Sequence, residues 1–84
     1  MLELRPNCEC CNKDLPPDSA EAMICSYECT FCRDCAQSLL HSICPNCGGN
    51  LVMRPIRPSA KLQKDPASTV RIYKPAGCAS AASP

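Results

Sequence analysis

The sequence predicts a small α+β domain held together by metal rather than by a large apolar core, with a short hairpin, one short helix and a disordered tail. Three observations predict it. The chain has 84 residues with no Trp, one Phe and two Tyr, and so short a chain buries too little apolar surface to be stable without staples. Its ten cysteines are about an eighth of all residues, a level that marks a crosslinked or metal-held scaffold. Most of them recur in C-x2-C pairs, the spacing of a metal knuckle.

The compartment decides between disulfides and metal. The opening MLELRPNCECC has no basic start, apolar run and small-residue cleavage site, so no signal peptide is expected. No stretch approaches the roughly 18 apolar residues that span a membrane. The expected location is cytoplasmic, where structural disulfides are rare, and thiolate ligands are favoured over disulfides.

Two regions follow from composition. Residues 1–54 are expected to form the two-metal domain, and residues 55–84 a basic, flexible tail rich in Pro, Ala and Ser. Nine of the ten cysteines lie between Cys8 and Cys47, and the tail has five prolines and no trustworthy helical or alternating period, the mark of a segment without its own core. Residues 1–50 carry three basic and seven acidic side chains, residues 51–84 six basic and one acidic. An acidic head can attract its own basic tail. The alternative is a tail that binds nucleic acid or a membrane surface.

Taken in order, the cysteines give Cys8-x2-Cys11, thirteen residues, Cys25-x3-Cys29, two residues, Cys32-x2-Cys35, eight residues, and Cys44-x2-Cys47. Two intervening residues let both sulfurs of a pair face one ion while backbone amides turn toward them. Two pairs complete a tetrahedral four-thiolate zinc site, so eight ligands imply two Zn2+ ions. Cys44-Pro45-Asn46-Cys47-Gly48-Gly49 is the most specific knuckle, with proline fixing φ and glycine allowing a positive φ. AMIC (22–25) and NLVM (50–53) are short candidate strands bounded by turn residues. Ala36, Leu39, Leu40 and Ile43 recur at i, i+3, i+4 and i+7 and predict about two turns of helix over 36–43. In Leu15-Pro16-Pro17-Asp18-Ser19, Asp18 or Ser19 is placed to cap a turn before Ala20. A knuckle, a hairpin and a helix that begins at a ligand cysteine is a treble-clef-like order.

ECTFCRDCAQSL followed by CPNC resembles the second half of a RING finger, with Cys29 where the common form has histidine. The resemblance covers residues 8–47. It implies a cross-brace in which Cys8, Cys11, Cys32 and Cys35 hold one zinc and Cys25, Cys29, Cys44 and Cys47 the other. Phe31 would fill the core between them, against Leu39, Leu40 and Ile43. From MLELRPNCECC through LPPDSAEAMICSYECTFCRDCA to CPNCGGNLV the chain is also similar to a small bacterial Cys-rich family, domain of unknown function 1272, which carries no established activity. Valence alone leaves open a sequential pairing, with Cys8, Cys11, Cys25 and Cys29 on one ion and Cys32, Cys35, Cys44 and Cys47 on the other.

Cys10, Cys78 and His41 fall outside the eight-ligand set. Cys10 is read as a partly exposed thiol, Cys78 as a free thiol in the tail, and His41 as a solvated side chain on the helix. Closed four-cysteine sites leave no open coordination position, so the metal is structural and no catalytic residue is expected. Ligase activity of the RING type is disfavoured by Glu9 and Gly48 at the places of partner-contacting residues and by the lack of Trp. Rubredoxin-like iron and electron transfer are the redox alternative, since four thiolates also suit iron. The expected function is a binding or adaptor module whose partner is another protein. Nucleic acid is the second candidate, through Arg54, Arg57, Lys61 and Lys64.

Overall fold

The apolar triplet Ala22–Ile24 forms β1, and Thr30–Cys32 returns antiparallel to it as β2. The computed structural model describes residues 1–74. Register is set by Ala22 opposite Cys32, Met23 opposite Phe31 and Ile24 opposite Thr30. Val52–Met53 forms β3 on the other side of β1, giving the sheet order β2-β1-β3. The NLVM strand is thus shorter than its sequence pattern, and Asn50 instead bridges to Ile43. No alternation announces β2, because a three-residue strand ending in a cysteine is too short to show a period.

The helix α1 spans Arg33–Ser38, earlier and shorter than the apolar pattern predicts. It starts where Cys32 caps it: the Cys32 Sγ accepts from the Cys35 N–H at 3.5 Å, the part usually played by Ser or Asp. Asp34 in the first turn complements the helix dipole. It stops because His41 and Ser42 take left-handed φ values of 52° and 61°. Those residues reverse the chain, Ser42 N–H reaches back to Ala36 O at 2.7 Å, and Cys44 is returned toward the sheet. Of the predicted apolar face only Ala36 and Leu40 are buried, while Leu39 and Ile43 are 39% and 49% exposed. His41 is exposed as expected, but lies past the helix.

The core is small and half made of sulfur. Phe31, Leu15, Ala22, Ala36, Leu40 and Leu51 pack with Cys8, Cys25, Cys32, Cys35 and Cys44. Before β1, Ser19 Oγ accepts from Glu21 N–H at 3.1 Å, so Ser19 rather than Asp18 supplies that turn's side-chain bond.

Through residue 74 the basic segment is laid against the head, which differs from the flexible tail its composition suggests. A short helix, α2, occupies Ser59–Leu62. Arg57 donates to Leu2 O and Asp65 O, each at 2.7 Å, and Ser68 N–H donates to Glu3 O at 2.8 Å. Arg71 lies 2.8 Å from Asp14 Oδ1. The Asn7 amide brackets Ile72, donating to its carbonyl at 2.9 Å and accepting from its N–H at 3.3 Å. The physical reason is that the head offers buried polar acceptors and an acidic surface which no apolar period in the tail would reveal. Among the described residues no helix is long and apolar enough to cross a membrane.

Candidate metal centres

The first knuckle is a backbone turn that aims amides at sulfur. Asn12, in the left-handed region at φ 63°, returns its N–H to Cys8 O at 2.9 Å, and Cys8 N–H donates to Lys13 O at 2.9 Å. The Cys10 N–H then points at Cys8 Sγ at 3.3 Å. Across from it, Cys32 ends β2 and Cys35 lies in the first turn of α1. The sulfurs of Cys8, Cys11, Cys32 and Cys35 all lie within 4.8 Å of one another, with Cys11 and Cys32 3.7 Å apart. Four sulfurs each about 2.3 Å from one tetrahedral ion stand about 3.8 Å apart, so the cluster has the size of such a site.

The second cluster joins the β1–β2 turn to the last knuckle. Tyr27 N–H donates to Cys25 Sγ at 3.3 Å. Cys44 N–H donates to Gly49 O at 2.7 Å and Gly48 N–H to Cys44 O at 2.9 Å. Gly48 sits at φ 80°, the conformation for which glycine is suited. The sulfurs of Cys25, Cys44 and Cys47 lie within 4.8 Å of one another. Cys29 stands outside that circle, although the side chains of Asn46, Cys25 and Cys44 bear on the ionisation of its thiol. The first cysteine pair thus gathers with the third, and Cys25 of the second pair with the fourth.

Crowding makes these thiols poor at ionising together. Burial, then the Cys32 side chain, pushes Cys35 up. Burial pushes Cys44 up to about 12, with the Cys47 and Cys25 side chains adding to it. Burial also raises Cys29 and Cys32. Cys25 runs the other way: burial opposes its ionisation, but the Tyr27 N–H and the neighbouring thiols outweigh it and bring Cys25 to about 7. A divalent cation among such sulfurs favours the thiolates that neighbours otherwise oppose. Both groups can hold a metal ion.

Several residues stand differently from their sequence reading. Cys10 is buried rather than partly exposed, and the eight cysteines of the two knuckle sets are free. Cys78 lies outside the described residues. Arg54 is 1% exposed and donates to the carbonyls of Arg5, Leu15 and Pro16 at 2.8, 3.2 and 3.0 Å. It is therefore no surface contact for nucleic acid, and burial lowers its pKa. Arg57 is similarly committed to backbone carbonyls, which leaves Lys61 and Lys64 exposed. Glu9, which stands in the sequence where a RING finger carries a partner-contacting residue, is 2% exposed. Nothing in CECC distinguishes a solvated glutamate from one folded under the knuckle.

The family profile of DUF1272, described as proteins of unknown function, matches residues 1–57. The chain belongs to this DUF1272 family. An uncharacterised protein of Rhizobium meliloti (strain 1021) is 66% identical over 79 residues, covering 94% of each chain. No solved structure matches. The stretch matched to DUF1272 takes in both sulfur clusters and the buried Arg54.

Proposed function

We propose that this DUF1272 chain is a zinc-held, non-catalytic binding module. Its eight free knuckle cysteines would hold two ions in a cross-brace: Cys8, Cys11, Cys32 and Cys35 on one, Cys25, Cys29, Cys44 and Cys47 on the other. The observation that carries this reading is the close gathering of the four sulfurs of Cys8, Cys11, Cys32 and Cys35 from two separated knuckles. Its finer architecture is a RING-like treble clef, supported by a knuckle, a hairpin and a helix capped by a ligand cysteine. Four thiolates around an ion leave no open position for substrate, and the ion's binding energy, about 10–16 kcal/mol in zinc-finger peptides, becomes folding energy.

The module acts in the cytoplasm, where thiolates persist, and its partner is another protein. Exposed Tyr27, Ile43, Val52 and Met53 offer apolar area for such a contact, whereas the basic patch has lost Arg54 to the interior. Native mass spectrometry with elemental analysis, on protein purified without added metal, tests the reading. Two zinc ions per chain, lost together with folded structure on chelation, are expected. Iron with reversible reduction, or a chain folded without metal, would overturn it.

A further inference from the structure

Glu9 belongs to one knuckle by sequence and to the other by its contacts. It lies between Cys8 and Cys11, yet its Oε1 accepts from Asn46 Nδ2 at 3.1 Å, and Asn46 lies between Cys44 and Cys47. Its Oε2 accepts from the Thr30 N–H at 3.1 Å, and Thr30 follows Cys29. Glu9 N–H also donates to Thr30 O at 3.0 Å, so side chain and backbone grip the same residue. Burying a carboxylate is costly unless it is paired and hydrogen-bonded. Among the described residues its ion-pair partner is Arg5, which stands 3.4 Å away and is nearer Glu3, at 2.9 Å. A loaded four-thiolate site carries net negative charge, so an extra buried anion beside two such sites is unfavourable by charge alone. The arrangement makes sense through the donors it holds: a fixed backbone N–H and a fixed amide, both from the second site.

Resting on the metal reading above, we propose that Glu9 is a positioning residue that couples the two sulfur sites, so that the ions load as a pair. Closing the first site orders the 8–11 knuckle and with it the Glu9 carboxylate. The carboxylate then orients Thr30 and Asn46, and through them Cys29, Cys44 and Cys47. By linkage the coupling runs equally in reverse. Partners that orient ligands typically change metal affinity by about 10–100-fold. The short chain from Cys29 to Cys32 also links the sites, so the test must isolate Glu9.

Zinc alone is added at one equivalent per chain to the metal-free protein, and native mass spectrometry counts chains holding no ion, one ion or two. In the unsubstituted protein the one-ion species is expected to be scarce. In Glu9→Ala it accumulates and the second ion binds about 10–100-fold more weakly. Glu9→Gln falls between them, because Asn46 can turn its amide and offer Oδ1 to the new side-chain nitrogen. Asn46→Ala alters an exposed turn residue and shifts the species the same way. The Glu9→Ala/Asn46→Ala pair is no worse than the more damaging single change. Cobalt(II) alone gives a second readout, through tetrathiolate absorption bands that rise together in the unsubstituted protein and in two steps in the variants. An unchanged one-ion fraction in the variants, or additive effects in the pair, overturns the coupling. If Glu9→Ala takes up no ion, Asn46→Ala decides. An unsubstituted chain that binds no zinc overturns the metal reading itself.

Discussion

Cys32 does three things at once: it pairs with Ala22 in the sheet, caps α1 through its sulfur, and lies 3.7 Å from Cys11 Sγ. Cys32→Ser keeps a capping oxygen and a strand residue but removes a soft thiolate, so it isolates the metal role. It is expected to lose the first site's ion, to weaken the second site's hold on its own, and to lose most of the folded structure, and Cys47→Ser, on an exposed knuckle residue, to do the same starting from the second cluster. His41→Ala, on an exposed side chain, should retain both. Elemental analysis with circular dichroism checks this, and equal tolerance at all three positions would sink the scaffold reading. Arg54 supplies a second residue-scale test, because three carbonyls depend on it. Arg54→Met keeps much of the volume but strands those acceptors, costing about 2–4 kcal/mol. In a domain of this size that lowers the thermal midpoint of the metal-loaded protein by about 10 °C or more. No sequence pattern foretold this burial; a lone arginine after NLVM looks like any other tail cation.

At the scale of elements, the cysteine spacing was legible and the periods were not. The three C-x2-C knuckles could be placed because that spacing is a local constraint, readable wherever it falls, whereas Cys29 of the C-x3-C pair stands outside the second cluster. The helix could not be bounded, because the sequence from Ala36 to Ile43 satisfies a helical period while the need to bring Cys44 back overrides it. The chain accepts left-handed His41 and Ser42, at about 1–2 kcal/mol each, to make that reversal. Truncation separates the two geometries. Leu40→Ala, at a buried site, should cost about 2–4 kcal/mol. Ile43→Ala should cost under about 1 kcal/mol, since that side chain is 49% exposed. Thermal unfolding of the metal-loaded variants measures both. Equal large losses would restore the longer helix with its continuous apolar face.

For the whole molecule, composition foretold a head of clustered cysteines but not how the tail is held. The acidic head and basic tail do meet, at Arg71 and Asp14, yet the bonds from Asn7 to Ile72 and from Arg57 to Leu2 are backbone matches that charge counting cannot see. The sulfur clusters make stability depend on pH in opposite senses with and without metal. Cys35 and Cys44 are raised, Cys44 to about 12. A raised thiol favours the fold below its ordinary range near pH 8.5, and that support is lost as pH climbs toward about 12. Cys25, lowered to about 7, opposes this only in part: its contribution is present above the ordinary range and lost as pH falls through about 7. The chelated chain should therefore lose residual structure on the alkaline side. With metal bound the ligands are thiolates, so protons compete from the other direction and occupancy falls in acid. Circular dichroism with parallel metal analysis, from about pH 4 to about pH 11, should show a loaded protein that is flat through the alkaline range and collapses in acid as its ions leave. Ion occupancy that persists unchanged in acid would mean that the sulfurs are not the ligands.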